Sequence, residues 1–314
     1  MLLKRFIFLL GLTALLSACA SHLPPLPTSD SLAHLPASVV IDSVPFHAQD
    51  AYQCGPAALS MMLNYRGISD TPATLKDRVY LPERRGSLQV EMVSAARERN
   101  LLAYPLAHNL ETLIAELDAG NPVLVLQNLA FNWYPQWHYV VVIGYDLPRQ
   151  EMIVHSGLNA AQREPFKVFL RTWSRGDYWA RVLLPPNVLP ATAEPLVYLR
   201  AASDLEETGR LDSAQLAYTT ALQAWPAQPA ARFGLGNIAW TQNRKAEAVE
   251  HFRKLATDFP HFKAAWHNLS VGLEALGCTH AAQIAKACAN GTSPVISSTL
   301  NNSEHNDCRV PICP

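Results

Sequence analysis

Cys54 is the residue of this chain whose surroundings best suit a nucleophile. Pro56 fits the first turn of a helix, and Leu59 and Met62 follow at the spacing of a buried helical face. The helix is therefore expected to begin at or beside Cys54. At that end the unpaired backbone N–H groups and the helix dipole favour the thiolate, which is the nucleophilic form of cysteine. The sequence thus predicts thiol chemistry at Cys54.

A thiol nucleophile needs a base, and His138 stands apart among the 11 histidines. It opens the β-prone run His138–Asp146, which predicts a rigid position at the start of a strand. The preceding segment, Phe131–Trp137, is rich in aromatic residues and suits the wall of a cleft. A cysteine on a helix followed by a histidine on a later strand is the papain-like order.

Polar residues at two other places could orient the histidine or hold an oxyanion. The next β-prone run ends at His155, and Ser156 and Asn159 follow it, so all three are expected near the same end of the sheet. Gln49 and Gln53 lie just upstream of the cysteine, where a side-chain amide could donate a hydrogen bond to a developing oxyanion.

Together these segments resemble the bacteriocin-processing cysteine peptidases, the C39-like family that cleaves double-glycine leaders. The resemblance covers residues 38–186 and is carried by Val44–Phe46 with Gln49, by Cys54–Leu59 and by His138–Tyr145. Gly86–Met92 and Leu183–Pro186 resemble its stand-alone, lipid-anchored branch with tetratricopeptide repeats. The resemblance implies that Cys54 is the nucleophile and His138 its base, with an upstream glutamine as oxyanion donor and an aspartate that orients the histidine.

The sequence departs from the family pattern at two positions. Gln49 lies five residues before Cys54, where papain-like enzymes have six, so either Gln49 with a one-residue contraction or Gln53 is the donor. The segment that usually supplies the aspartate holds no carboxylate. Ser156 is nearest to the expected place, and Asn159 or His155 could substitute for it.

The N-terminus predicts export and lipid attachment. Two basic residues precede the apolar run Phe6–Leu16, which suits a signal-peptide core and is too short to span a bilayer. The sequence Leu16–Cys19 resembles the bacterial lipoprotein box, with cleavage before Cys19 and lipid attached to that residue. Ala20, in place of aspartate, implies an outer-membrane lipoprotein that faces the periplasm.

Composition shifts divide the chain into five parts. We expect a signal peptide at 1–18, the lipidated cysteine and a Pro-rich tether at 19–37, a peptidase domain at 38–187, repeats at 194–289 and a disordered tail at 290–314. The peptidase domain should be α+β and papain-like, followed by an all-α tetratricopeptide-repeat domain. Thr71, Ser87 and Asn109 are expected to cap scaffold helices, and Pro122–Leu129 to form a central strand.

The repeats are predicted by a 34-residue period, which pairs Pro226 with Pro260 and Tyr218 with Phe252. About three such repeats would present a concave face to a peptide or protein. The alternative is a helical appendix that only packs on the peptidase. Gly234–Ala239 matches a dinucleotide fingerprint by its letters, but no strand precedes it, so no nucleotide cofactor is expected.

Four cysteines remain once the anchor and the nucleophile are set aside: Cys278, Cys288, Cys308 and Cys313. An even number in an oxidising compartment predicts disulfides among them, with the pairing left open. No Cys-x-x-Cys, His-Glu-x-x-His or carboxylate cluster occurs in the sequence, so no metal or other cofactor is expected. A net charge of -1 gives no long-range field to gather phosphates, which argues against a nucleic-acid partner.

The sequence therefore predicts a periplasmic, lipid-anchored cysteine peptidase, a hydrolase that cleaves peptide bonds and holds a peptide or protein partner on its repeats. It would contact the membrane through its N-terminal lipid. Two alternatives stay open. A degenerate peptidase would act as a peptide-binding module, which the missing aspartate favours. A related Cys-His enzyme would instead transfer an amide or acyl group.

Overall fold

The computed structural model describes residues 26, 32–49, 53–84, 86–291 and 310. The predicted signal peptide, the lipidation of Cys19, most of the tether and most of the tail, with Cys308 and Cys313, lie outside these residues. The described strands are β1 (Ser38–Val40), β2 (Leu102–Pro105), β3 (Val123–Asn128), β4 (Trp137–Asp146), β5 (Glu151–Ser156), β6 (Asn159–Pro165) and β7 (Ala180–Leu184). The helices of the first domain are α1 (Cys54–Tyr65), α2 (Pro72–Val79), α3 (Gln89–Glu98), α4 (Leu110–Asp118) and α5 (Phe166–Ser174).

One antiparallel sheet organises the first domain. Its order is β2-β7-β3-β4-β5-β6, and β1 pairs with the far end of β4. The predicted central strand is confirmed as β3, and all six of its residues are buried. Its partner β4 is buried from Tyr139 to Tyr145. Both strands are covered on both faces, as their continuous apolar sequences require. The α+β fold class is confirmed.

Two of the three predicted helix caps are confirmed. The Thr71 hydroxyl accepts a hydrogen bond from the backbone N–H of Thr74, and the Asn109 amide oxygen accepts one from Thr112 at 2.8 Å. The prediction for Ser87 is wrong, because α3 begins two residues later without a side-chain cap. The Ser87 hydroxyl is buried and has no hydrogen-bond partner in the described part of the chain.

The second domain is helical and has the predicted period. Three hairpins follow one another: α6 (Pro195–Glu207) with α7 (Leu211–Ala224), α8 (Pro229–Thr241) with α9 (Lys245–Asp258), and α10 (Lys263–Ala275) with α11 (Thr279–Asn290). The glycines of the apparent nucleotide motif lie within α8. A Cβ atom at Gly234 would come within 2.4 Å of the Tyr218 ring, and one at Gly236 within 2.5 Å of the Phe252 ring. These glycines therefore serve close helix packing.

The two domains share one hydrophobic core, which runs from the sheet into the first repeats without interruption. Polar contacts reinforce the junction. The buried carboxylate of Glu116 accepts hydrogen bonds from the backbone N–H groups of Ala191 and Thr192 and from the Thr192 hydroxyl. Arg97 on α3 forms an ion pair with Asp204 on α6. The repeats thus pack directly on the peptidase domain, as the appendix alternative requires.

Cys278 and Cys288 are both disulfide-bonded, which confirms the prediction for these two residues. They stand at opposite ends of α11, about 15 Å apart at the rise of an α-helix, so they cannot bond to each other. Val310, beyond the helix, packs on the same hydrophobic cluster as both cysteines.

Glu116 provides a test of the junction. Glu116→Ala leaves several buried donors without an acceptor, so we expect the free energy of unfolding to fall by about 2–4 kcal/mol. Urea unfolding followed by tryptophan fluorescence measures this loss. Glu83→Ala, at an exposed site, is the matched control. Equal stability of the two variants would contradict a supporting role for the Glu116 contacts.

Candidate functional site

Cys54 is the first residue of α1, as predicted, and its environment is formed by two elements. The helix behind it is almost wholly internal, since every residue from Gly55 to Leu63 is buried. The Cys54 sulfur interacts with the backbone N–H groups of Tyr139, of Gly55 and of Cys54 itself. Because Tyr139 follows His138 on β4, the structure brings the thiol to the start of the strand that carries the predicted base.

The imidazole of His138 has a partner on the neighbouring strand. Its Nε2 lies 3.0 Å from the Oγ of Ser156, a residue only 8% exposed at the end of β5. With Nε2–H donating to that hydroxyl, Nδ1 remains unprotonated and able to accept a proton. Among the orienters left open by the sequence, Ser156 is therefore the one in hydrogen-bond contact with His138.

The other two candidate orienters are engaged elsewhere. His155 Nδ1 accepts a hydrogen bond from the backbone N–H of Ala161, and its Nε2 lies 3.2 Å from the carbonyl oxygen of Val44. This histidine therefore ties β6 to the segment before α1. Asn159 is exposed and donates to the side chain of Gln162.

Gln49 is the better placed of the two candidate oxyanion donors. Its backbone N–H donates to the carbonyl oxygen of Gly157 at 3.1 Å, which places it beside Ser156. Its side-chain Nε2 is buried and has no acceptor within the described ranges. A buried amide donor without an acceptor costs free energy, and donors held ready for an oxyanion have this character. Gln53 precedes α1 without capping it.

Burial sets the charge state of the pair in the ligand-free protein. It raises the pKa of the Cys54 thiol, and the three surrounding backbone N–H groups offset this only in part. It also lowers the pKa of His138. Both shifts favour the neutral thiol and neutral imidazole. The N–H groups at the start of α1 lower the pKa of the thiol, as expected, but burial raises it by more.

Two residues at the site were missed by sequence reasoning. Tyr139 supplies a backbone N–H to the sulfur, and its hydroxyl donates to the carbonyl oxygen of Ser87 at 3.4 Å. Ser87 in turn packs on Gly55, where a Cβ atom would lie 2.2 Å from the serine Oγ. No clear signal for this contact is present in the sequence, which predicted instead that Ser87, in the Gly86–Ser87 pair, caps a helix.

Neither a metal site nor a membrane span is found among the residues that the structure describes. Within those ranges there is no group of three or more His, Cys, Asp or Glu side chains able to hold a metal ion. None of the described helices combines the length and apolarity needed to cross a bilayer.

The Gly55–Ser87 contact generates a first prediction for the site. Gly55→Ala forces Ser87 away and disturbs the start of α1, so we expect lower stability and slower Cys54 chemistry. Adding Ser87→Gly removes both clashing atoms and should restore most of the loss, leaving only a 3.3 Å contact with the flexible Met92. Thermal unfolding and the rate of Cys54 alkylation measure both effects. A double variant as impaired as Gly55→Ala would contradict this account.

The pKa directions generate a second prediction. Because the Cys54 pKa is raised, alkylation by iodoacetamide should be slow at neutral pH and should still accelerate above the ordinary thiol pKa of about 8.5. Ser156→Asp places a negative charge beside His138 and should favour imidazolium with thiolate, moving the profile to lower pH. Ser156→Ala is the control that removes the hydroxyl without adding charge.

Intact mass after alkylation confirms that Cys54 is the residue modified. A wild-type rate that is already constant below pH about 7 would contradict the neutral pair, since it would mean that the thiolate is formed there. A Ser156→Asp profile identical to that of Ser156→Ala would contradict the proximity of position 156 to the imidazole.

Two parts of the chain match known families. Residues 41–178 match the family described as Peptidase_C39 like family, and residues 199–261 match the tetratricopeptide repeat. No protein of curated function matches the chain.

Two solved structures are similar to the first domain. One is described as a C39-like peptidase from Bacillus anthracis, with 20% identity and a TM-score of 0.39, covering 48% of this chain and 98% of that one. The other is a double glycine motif protease from an AMS/PCAT transporter in complex with the leader peptide, with 22% identity and a TM-score of 0.36, covering 45% and 89%. The chain is thus similar to the C39-like peptidases over residues 41–178 and to tetratricopeptide repeats over residues 199–261.

Proposed function

We propose that this protein is a cysteine peptidase with Cys54 as nucleophile and His138 as general base. One observation carries the proposal: Gln49, whose buried Nε2 has no acceptor in the described residues, is hydrogen-bonded through its backbone to Gly157, next to the Ser156 that contacts His138. Acyl transfer requires a nucleophile, a base with a residue that orients it, and a hydrogen-bond donor that is free to bind the oxyanion.

The chemistry follows from the neutral pair. His138 Nδ1 takes the thiol proton as the sulfur bonds to the scissile carbonyl carbon, and the Gln49 amide with nearby backbone N–H groups stabilises the oxyanion. The imidazolium then gives that proton to the leaving amine as the C–N bond breaks. Water, deprotonated by His138, hydrolyses the thioester and frees Cys54.

Ser156 is proposed to orient the imidazole in place of the family's aspartate. A hydroxyl can hold the Nε2–H tautomer, but it carries no charge to offset the imidazolium that forms during the reaction. Burial lowers the pKa of His138, which agrees with the lack of a negative charge beside the imidazole. The expected consequence is a slower enzyme than one with a carboxylate at this position.

The substrate is proposed to be a peptide or protein segment, and the repeat domain is proposed to hold a protein partner. The transporter protease above is bound to a leader peptide. For the present chain we propose only the chemical class, since nothing at the described site selects a glycine pair.

We further propose that Cys19 carries lipid and anchors the protein to the outer membrane, facing the periplasm. The support is the N-terminal sequence: an apolar core followed by Leu16–Cys19, and alanine at position 20. Intact mass of the purified protein tests this, with Cys19→Ala as control. A wild-type mass equal to that of the full, unmodified chain would overturn it.

A binding module without catalysis is the second candidate, and a specific observation favours it. Position 156 holds no carboxylate, and burial disfavours the ion pair on which many thiol enzymes depend. Such a module would bind peptides through the same cleft and leave them intact. The first test is therefore incubation of a mixed peptide library with wild type and with Cys54→Ala, followed by mass spectrometry. Cleavage products equal in both samples would sink the peptidase proposal.

The two glutamines give the sharpest prediction. Gln49→Ala should lower kcat by about 100-fold to 1000-fold, the usual effect of losing one oxyanion donor, with a small change in KM. Gln53→Ala is the matched control and should leave kcat within a few-fold of wild type. The measurement uses the best-cleaved library peptide. The reverse order of the two variants would assign the donor to Gln53.

A further inference from the structure

The hairpin between β3 and β4 exposes an unusual amount of aromatic surface. Phe131 is 60% exposed, Trp133 81% and Trp137 54%, and Leu158 in the β5–β6 turn is 75% exposed. We call these four side chains the apolar rim. Large apolar side chains grouped at a surface, in contrast to scattered ones, mark a site of interaction.

The hairpin is held in shape by hydrogen bonds. The buried Asn128 side chain accepts bonds from the backbone N–H groups of Ala130 and Gln136, at 3.1 and 2.9 Å. Arg175, just after α5, donates to the carbonyl oxygen of Ala130 at 2.7 Å. Leu129 N–H also bonds to the carbonyl oxygen of Gln136. The hairpin is therefore preorganised, so a ligand that binds to it would lose little conformational entropy in ordering it.

The aromatic side chains also support one another. The rings of Phe131 and Trp133 stack with 5.6 Å between centroids and 12° between planes, and Tyr134 packs against Trp133. No charged residue occurs from position 128 to position 138. An uncharged aromatic face of this kind fits a non-polar partner.

The position of the rim relative to His138 indicates which kind of partner binds to it. Trp137 immediately precedes His138, and Leu158 lies two residues beyond Ser156, in the turn alongside the start of β4. The rim thus borders, along the chain, the strand start that carries His138 and its partner Ser156. A substrate chain bound at His138 would pass close to Trp137 and Leu158, which favours a peptide as the partner.

Resting on the peptidase function above, we propose that the apolar rim binds bulky non-polar side chains of the substrate next to the scissile bond. The substrate class is then a peptide segment with aliphatic or aromatic residues beside its cleavage point. The rim acts in recognition and takes no part in proton transfer, so its effect is separable from that of Cys54.

The test measures binding without cleavage. In the full chain carrying Cys54→Ser, fluorescence anisotropy follows two fluorescein-labelled twelve-residue probes that differ only at four central positions, occupied by Leu and Phe in one and by Ser in the other. We expect the apolar probe to bind more tightly. Phe131→Ser with Trp133→Ser should weaken it by about tenfold or more, as for an aromatic hot spot. Leu196→Ser, at a 68% exposed site on α6, is the matched control.

Three outcomes would overturn the rim proposal: equal binding of the two probes, an unchanged affinity in the rim variant, or an equal loss in the Leu196→Ser control. Loss of binding to phosphatidylethanolamine–phosphatidylglycerol vesicles in the rim variant, with peptide binding unchanged, would also overturn it in favour of a membrane contact.

The same experiment separates this proposal from the peptidase proposal. Rim-dependent binding of the apolar probe, together with an uncleaved library, would retain the rim and reject the peptidase. Cleavage that depends on Cys54 but is equally efficient in the rim variant would reject the rim and retain the peptidase.

Discussion

The packing of α1 against β4 is the constraint on which the rest of the site depends. The helix is buried from Gly55 to Leu63, so it is a core element whose first residue happens to carry the thiol. The strand supplies Tyr139 N–H to the sulfur and, one residue earlier, His138. Protein interiors are close-packed, so neither element can shift without disturbing the other. The backbone positions of Cys54 and His138 are therefore set by folding, before any substrate binds.

The same burial makes the charged forms of the two residues unfavourable. Desolvation disfavours both the Cys54 thiolate and the His138 imidazolium, and the three N–H groups at the sulfur compensate only part of it. A carboxylate beside the imidazole would offset the rest, as it does in enzymes that rest as an ion pair. Ser156 offers a hydrogen bond without charge. In the proposed mechanism, proton transfer from the thiol would therefore accompany attack on the carbonyl, and substrate binding would have to make the transfer favourable.

Local patterns in the sequence predicted the elements well, because their causes are local. The start of α1 follows from Pro56, the caps at Thr71 and Asn109 from side chains three residues before their partners, and β3 from its apolar run. The 34-residue period predicted the three hairpins for the same reason. These features depend on residues that are close in the chain.

The features that the sequence could not predict depend on residues far apart in the chain. Whether Ser87 caps a helix or packs on Gly55 is decided by how α3 meets α1. The choice of Gln49 follows from its backbone bond to Gly157, more than a hundred residues later. The sign of the Cys54 pKa shift depends on total burial, which no short motif reports. The motif thus predicted Cys54 and His138 as nucleophile and base, while the fold determined which polar residues lie beside them.

The junction with the repeats shows how far this fixed geometry extends. Asp204 on α6 pairs with Arg97 and also interacts with Arg181, whose pKa burial lowers to about 10. Arg181 lies over the Trp179 ring, and that ring packs edge-on against Tyr139. Packed residues therefore connect the first repeat to the strand beneath Cys54.

A contact chain of this kind transmits a signal only if one of its elements has two arrangements. The core shared by the sheet and the first repeats packs α6 against the first domain, and the structure contains one arrangement of this helix. The repeat domain is then best understood as a fixed platform. A partner held on it would be presented to the cleft at a position set by the fold, and selectivity would arise from where the partner is held, with the geometry of Cys54 unchanged.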